Sequence, residues 1–188
     1  METIKVSSGK KSELLTLSMA RDSWSRTSEA LLRIQALKAV PDRTMYDLLL
    51  IAACVLYLRP FERSDGLIRL RDYANFDGVA GGDELRRIHV AVDKARNQIM
   101  AHRQVSGWDK LLQGTLDGKA GDLLVISVGN GPLSYEVSDP TLHPEFIGHF
   151  LWLAQVQEAR ANKAFFNAIG PVLPSLIVGR KKFLIEAE

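Results

Sequence analysis

The chain has 188 residues, 46% of them hydrophobic, with 24 Lys and Arg against 22 Asp and Glu and a formal net charge of +2. That length and content suit one domain with a sizeable core. The even charge balance excludes a strong overall field toward nucleic acid or an anionic membrane, so a basic site has to be local. A single cysteine, Cys54, excludes a disulfide framework within the chain and fits a reducing, cytoplasmic setting.

In chain order, METIKVSSGKKSELL carries charges where a secretory signal needs its apolar stretch. Residues 11–38 place Leu14, Leu15, Met19, Leu31, Leu32, Ile34 and Leu37 at spacings that predict one or two amphipathic helices, closed by Pro41. Residues 43–59 predict the most apolar helix and the centre of the core. It starts after Asp42 and stops near Arg59-Pro60, because the residue before a proline disfavours the helical conformation. Its unbroken apolar run, 48–58, falls far short of the roughly 20 residues that cross a bilayer, so no membrane partner is expected. Cys54, inside that run, reads as a small hydrophobe.

Residues 64–76 read as a short helix or helical turn, and DGVAGG, 77–82, as a flexible break. Asp83 is the expected N-cap of a second long helix over 83–103, with Leu85, Ile88, Val92, Ala95, Ile99 and Met100 on one stripe. The runs LLVIS and LSYEV flank Gly129-Asn130-Gly131-Pro132 and predict a β-hairpin inserted at about 122–138. His143-Pro144 opens a third long helix. Its broad apolar face includes Phe146, Phe150, Leu153, Ala154, Gln157, Ala161, Ala164 and Phe165, and Gly170-Pro171 breaks it. Four phenylalanines here, Phe146, Phe150, Phe165 and Phe166, read as core rather than as a base-stacking platform. A short charged tail, about 179–188, follows, and its Arg180-Lys181-Lys182 reads as a solvated cluster. With no internal repeat or interdomain linker, 1–188 reads as a single, mainly α domain: a helical bundle with one inserted hairpin.

Few motifs carry chemistry. The four histidines are scattered, and neither H-E-x-x-H nor C-x-x-C occurs, so no metal and no other cofactor is expected. The glycine clusters lack the Gly-Lys-Ser/Thr of a phosphate loop, and no serine sits in G-x-S-x-G. What remains is RNQIMAHR, residues 96–103. Histidine exchanges a proton near neutrality, and arginine holds a phosphate through paired hydrogen bonds, so together they can cleave RNA without a metal. On an ideal helix Arg96 and His102 stand about 120° apart around the axis and roughly 9 Å along it. A bent arginine, an unwound last turn or a two-fold mate would bring them together. The plainer alternative is an arginine pair, Arg96 and Arg103, on a solvated face, with a histidine suited to a helix C-terminus.

The segment resembles the HEPN superfamily of all-helical domains, whose signature is an arginine, a polar residue, and a histidine four to six residues after the arginine. Arg96, Asn97 and His102 match it in the form R-N-x-x-x-A-H. Two further features are similar to many bacterial HEPN-like proteins: Tyr57-Leu58-Arg59-Pro60-Phe61 at the end of an earlier helix, and His89 ahead of the R-N pair. The resemblance covers residues 45–103. It implies a HEPN-like helical bundle, a homodimer with the signature helices of two subunits at a shared cleft, and a metal-independent ribonuclease of toxin–antitoxin, abortive-infection or CRISPR-linked defence. Arg96, Asn97 and His102 would be the catalytic residues, with Arg103 and Arg59 binding RNA. A cognate antitoxin or inhibitor protein is the implied partner. The alternative within the same resemblance is a non-catalytic module that binds RNA or protein. Members paired with a nucleotidyltransferase antitoxin often carry a tyrosine two residues after the histidine; Gln104 stands there, so regulation through that tyrosine is not expected.

Overall fold

The computed structural model describes residues 2–37, 43–62, 66–96, 124–127, 134–137, 144–173 and 182–188. These residues are mainly helical. A first strand, β1 (Glu2–Val6), leads into a long helix, α1 (Ser8–Ala36), which is capped by the Ser7 hydroxyl accepting from the Lys10 amide. The apolar helix α2 (Arg43–Leu58) ends as expected before Pro60 and passes into a tight turn, Arg59–Phe61. A second tight turn, Arg71–Ala74, precedes α3 (Gly82–Lys94). Strands β2 (Leu124–Ser127) and β3 (Ser134–Val137) pair antiparallel, with Leu124 opposite Val137 and Ser127 opposite Ser134, at the place predicted for the hairpin. The long helix α4 (Pro144–Ile169) follows, and then β4 (Phe183–Ala187).

α1 is the hub of the bundle, packed along α4 on one side and α2 on the other, while α3 leans on α4 and α2. Trp24, Leu31 and Ile34 from α1 meet Cys54 and Tyr57 from α2, Leu85, Ile88 and Val92 from α3, and Ile147, Phe150 and Leu153 from α4. All of these are almost completely buried, so the stripe predicted for α3 is the one that packs as far as Ala95. Burial pushes the Cys54 thiol up to about 12, so the group behaves as packing and not as a nucleophile. A second, smaller cluster joins Leu14 and Leu17 to Ala168 and Ile169.

Four expectations need correction. The tail is not simply charged and solvated: residues 183–187 form β4, which pairs in parallel with β1, Glu2 opposite Phe183 and Val6 opposite Ala187. The N-cap of α3 is Gly81 rather than Asp83. Gly81 adopts the left-handed conformation (φ 71°), and a Cβ there would stand 2.5 Å from the Trp152 ring, so the break is a shaped turn that only glycine fits. The apolar spacing in α1 and α4 overcounts the core, because Leu15 is 47% exposed, Leu32 50% and Phe166 60%. Finally, α2 is not the most enclosed helix, since Met45, Leu48, Ile51 and Val55 lie on its exposed side.

Candidate functional site

Of the five residues proposed from sequence, Arg96 and Arg59 are described; Asn97, His102 and Arg103 lie outside the described residues. Arg96 stands where α3 stops being a regular α-helix. After Lys94 the winding widens to a π-type turn at residues 95–96. Such local widening alters the direction in which side chains leave a helix and is frequent at functional positions. Ala95 keeps its side chain in the core, and the next residue swings its guanidinium toward the segment after α2, where Arg96 Nη2 pairs with Glu62 Oε1. The two side chains remain 32% and 44% exposed, so the pair sits at the rim of the core.

The Arg59–Phe61 turn sets the other wall. It is tied by the Glu62 amide to the Arg59 carbonyl (3.2 Å), by the Leu70 amide to the Pro60 carbonyl (3.1 Å), and by the Arg69 guanidinium donating to the Phe61 carbonyl. Residues 66–68 are in turn held to α1, where Ser12 Oγ donates to the Gly66 carbonyl and Thr16 Oγ1 accepts from the Ile68 amide. Arg59 and Glu62 border a small cavity of about 20 Å³ together with Thr16, Ser23, Pro60 and Ile68, room for one water molecule. One exposed carboxylate, Glu62, thus joins the Arg59 turn to the Arg96 end of α3.

Behind this rim lies a polar chain that runs through the core. The Tyr57 hydroxyl is 2.8 Å from His89 Nδ1. Burial raises the Tyr57 phenol, and the neighbouring Gln157 side chain partly opposes that. Gln157 Nε2 donates to the Tyr73 carbonyl (2.7 Å), and Gln157 Oε1 accepts from Arg160 Nη1 (2.9 Å). Arg160 donates further to the carbonyls of Tyr73 and Asn75, both at 2.9 Å, and lies over the rings of Tyr73 and Phe76. Trp24 Nε1 closes the set by donating to the Tyr57 carbonyl (3.0 Å) at the end of α2. The side chains of Trp24, Tyr57, Gln157 and Arg160 thus each have a hydrogen-bond partner, as burial demands.

His89 is boxed by aromatic rings, with centroid separations of 5.7 Å to Tyr57, 4.9 Å to Phe61 and 6.0 Å to Phe76. Burial holds its imidazolium below the usual range, and the Asp93 carboxylate one turn on partly opposes that. Burial likewise raises the Tyr57 phenol, so the hydroxyl stays protonated.

The structure therefore brings Tyr57, Phe61 and His89 into contact, and pairs Arg96, just beyond α3, with Glu62 at the end of the turn that carries Arg59. Sequence reasoning missed Glu62 and the Gln157–Arg160 chain. Glu62 offered no signal beyond its place directly after Arg-Pro-Phe, and Gln157 was counted only as part of an apolar face. Among the described residues, no group of three or more His, Cys, Asp or Glu could hold a metal ion, and no helix is long and apolar enough to cross a membrane. No protein-family model, curated protein or solved structure matches the chain.

Proposed function

We propose that the protein is a metal-independent endoribonuclease of the HEPN type, working in a toxin–antitoxin or abortive-infection setting in the cytoplasm. The observation that supports this most is the position of Arg96: half-buried at a widened helix end, holding a carboxylate oxygen in the way a guanidinium holds a phosphate oxygen. The R-N-x-x-x-A-H spacing supplies the rest of the reading.

In the proposed reaction His102 takes the proton of a ribose 2′-hydroxyl. The freed oxygen attacks the adjacent phosphorus, the bond from phosphorus to the 5′-oxygen breaks, and an acid protonates that departing oxygen. The products are a 2′,3′-cyclic phosphate and a 5′-hydroxyl. Arg96 stabilises the charge that builds on the phosphorane oxygens, Asn97 orients His102 or a phosphate oxygen, and Arg103 and Arg59 line the RNA path. In a homodimer the second copy of His102 supplies the acid. An antitoxin or inhibitor protein would cover this cleft.

A second reading is a non-catalytic HEPN-like module that binds RNA or protein. The Glu62 contact favours it, because it gives Arg96 a partner within the fold. Purified protein incubated with total RNA in excess EDTA separates the two. The nuclease generates cyclic phosphate ends that His102→Ala and Arg96→Ala, at equal thermal stability, do not. A wild type that binds RNA without new ends contradicts catalysis and leaves the binding module.

A further inference from the structure

We infer that the slot between α1, α4 and β4 is a binding site for a small amphipathic carboxylate, an aromatic ring or short aliphatic tail whose single carboxylate pairs with Lys11. The slot shares no lining residue with the rim formed by Arg59, Glu62 and Arg96, so the inference stands apart from the ribonuclease reading.

The body of the ligand follows from the walls. The slot has a volume of about 170 Å³ and is lined by Leu14 and Leu15 from α1, Phe165 and Ile169 from α4, and Ile185 from β4, with Lys11 and Ser18 as its polar members. Leu14 and Ile169 belong to the smaller core cluster and are only 4% and 9% exposed, whereas Leu15 is 47% exposed, so the slot runs from the core to the surface. A cavity of about 150 Å³ lined by Leu, Ile and Phe takes a benzene ring. The same residue types here, in a slightly larger space, suit a ring of about six carbons or a hydrocarbon tail of similar bulk, whose entry removes apolar wall from water.

The head group follows from α1. Lys11, Leu14, Leu15 and Ser18 are spaced at i, i+3, i+4 and i+7, so they share one stripe of the helix, roughly 10 Å long. That stripe sets a half-buried cation at one end of the slot and a hydroxyl at the other, with two leucines between them. Lys11 also lies near the N-terminus of α1, where the helix dipole favours negative charge and where the first turn carries no acidic residue. Its neighbour Lys10 is paired with Glu13 at 2.9 Å, while Lys11 is in no ion pair among the described residues. An anion at the Lys11 end therefore answers both the ammonium and the helix terminus. One ammonium matches one negative charge, which selects a monocarboxylate over a phosphate ester. A few polar groups at the edge of an apolar space are the general pattern of small-molecule sites.

The test uses the full chain with ¹³C-labelled Leu and Ile methyl groups, titrated with benzoate and with hexanoate at constant ionic strength, and with benzyl alcohol and acetate for comparison. Benzoate or hexanoate is expected to give saturable shifts of the Leu14, Ile169 and Ile185 methyls while Ile88 in the main core stays unmoved. Lys11→Gln, at a surface position, is expected to weaken carboxylate binding about 5-fold or more and to leave benzyl alcohol unaffected. Leu15→Trp, which adds bulk at an exposed wall, should abolish binding without loss of thermal stability. Benzyl alcohol binding as tightly as benzoate, or benzoate binding unchanged by Lys11→Gln, overturns the inference, because the cation then recognises nothing. Acetate shifting the same methyls as strongly overturns the apolar part of the site. No saturable shift by about 10 mM benzoate or hexanoate overturns the whole.

Discussion

Arg160 and Arg96 are the same side chain in opposite situations. Arg160 donates to the carbonyls of Tyr73 and Asn75 and to Gln157 Oε1, with its guanidinium over two aromatic rings. Two of those acceptors belong to the backbone of the segment that threads between α2 and α3, so they cannot leave without local unfolding. Arg96 pairs with the carboxylate of an exposed, rotatable side chain at the rim. A carboxylate of that kind can turn into solvent at small cost and be replaced by another anion. The difference teaches that a guanidinium becomes a staple or a binding group according to whether its acceptors are main chain or mobile.

This contrast can be broken by substitution. Arg160→Met keeps the aliphatic stem but takes the donor from the Asn75 carbonyl and from Gln157 Oε1, the Tyr73 carbonyl keeping its bond from Gln157 Nε2, and it is expected to cost about 2–4 kcal/mol of unfolding free energy in urea melts. Arg96→Ala reverses the pattern: stability changes by less than about 1 kcal/mol, as for an exposed ion pair, while affinity for a 2′-O-methyl RNA oligonucleotide falls about 10-fold or more. If Arg96→Ala destabilises as much as Arg160→Met, the two arginines are both staples and the contrast fails. Glu62→Gln sharpens it, since removing the competing charge should raise oligonucleotide affinity a few-fold at low salt and the gain should shrink as salt is added.

The smallest effect is the pH dependence set by His89. Its imidazolium is disfavoured in the folded state, so below the ordinary value of 6.5 the unfolded chain binds the extra proton. The stability this represents is fully present above pH 6.5 and is lost as pH falls from there toward the folded value. His89→Gln should flatten that part of the stability profile between neutral and mildly acidic pH, and an unchanged slope would place the titrating group elsewhere.

The parts of the fold legible in sequence are those governed by local pattern. The α3 stripe from Leu85 to Ala95 repeats at three and four, and Pro60 ends α2 through a neighbouring steric clash, so both were readable. The β1–β4 pair was not, because it joins the two ends of the described chain and no local rule announces a partner so distant. Hydrophobic content also misled. α2 is the most apolar helix yet exposes Leu48 and Val55, whereas α1 carries Thr16, Ser23, Thr27 and Ser28 into the core. It can do so because Thr16, Thr27 and Ser28 donate to carbonyls one turn back, which satisfies the hydroxyls within the helix itself. At the site, Arg96 and Arg59 stood out by residue type and spacing. Glu62 did not, since its importance lies in an ion pair formed across two elements.

The most direct measurement is the side-chain Nε–H spectrum of the arginines during titration with the 2′-O-methyl RNA oligonucleotide. The account predicts a saturable shift of Arg96 with Arg160 unmoved. An Arg96 signal that stays fixed at saturation, or an Arg160 signal that moves as far, would contradict the assignment of Arg96 as the group that exchanges Glu62 for phosphate.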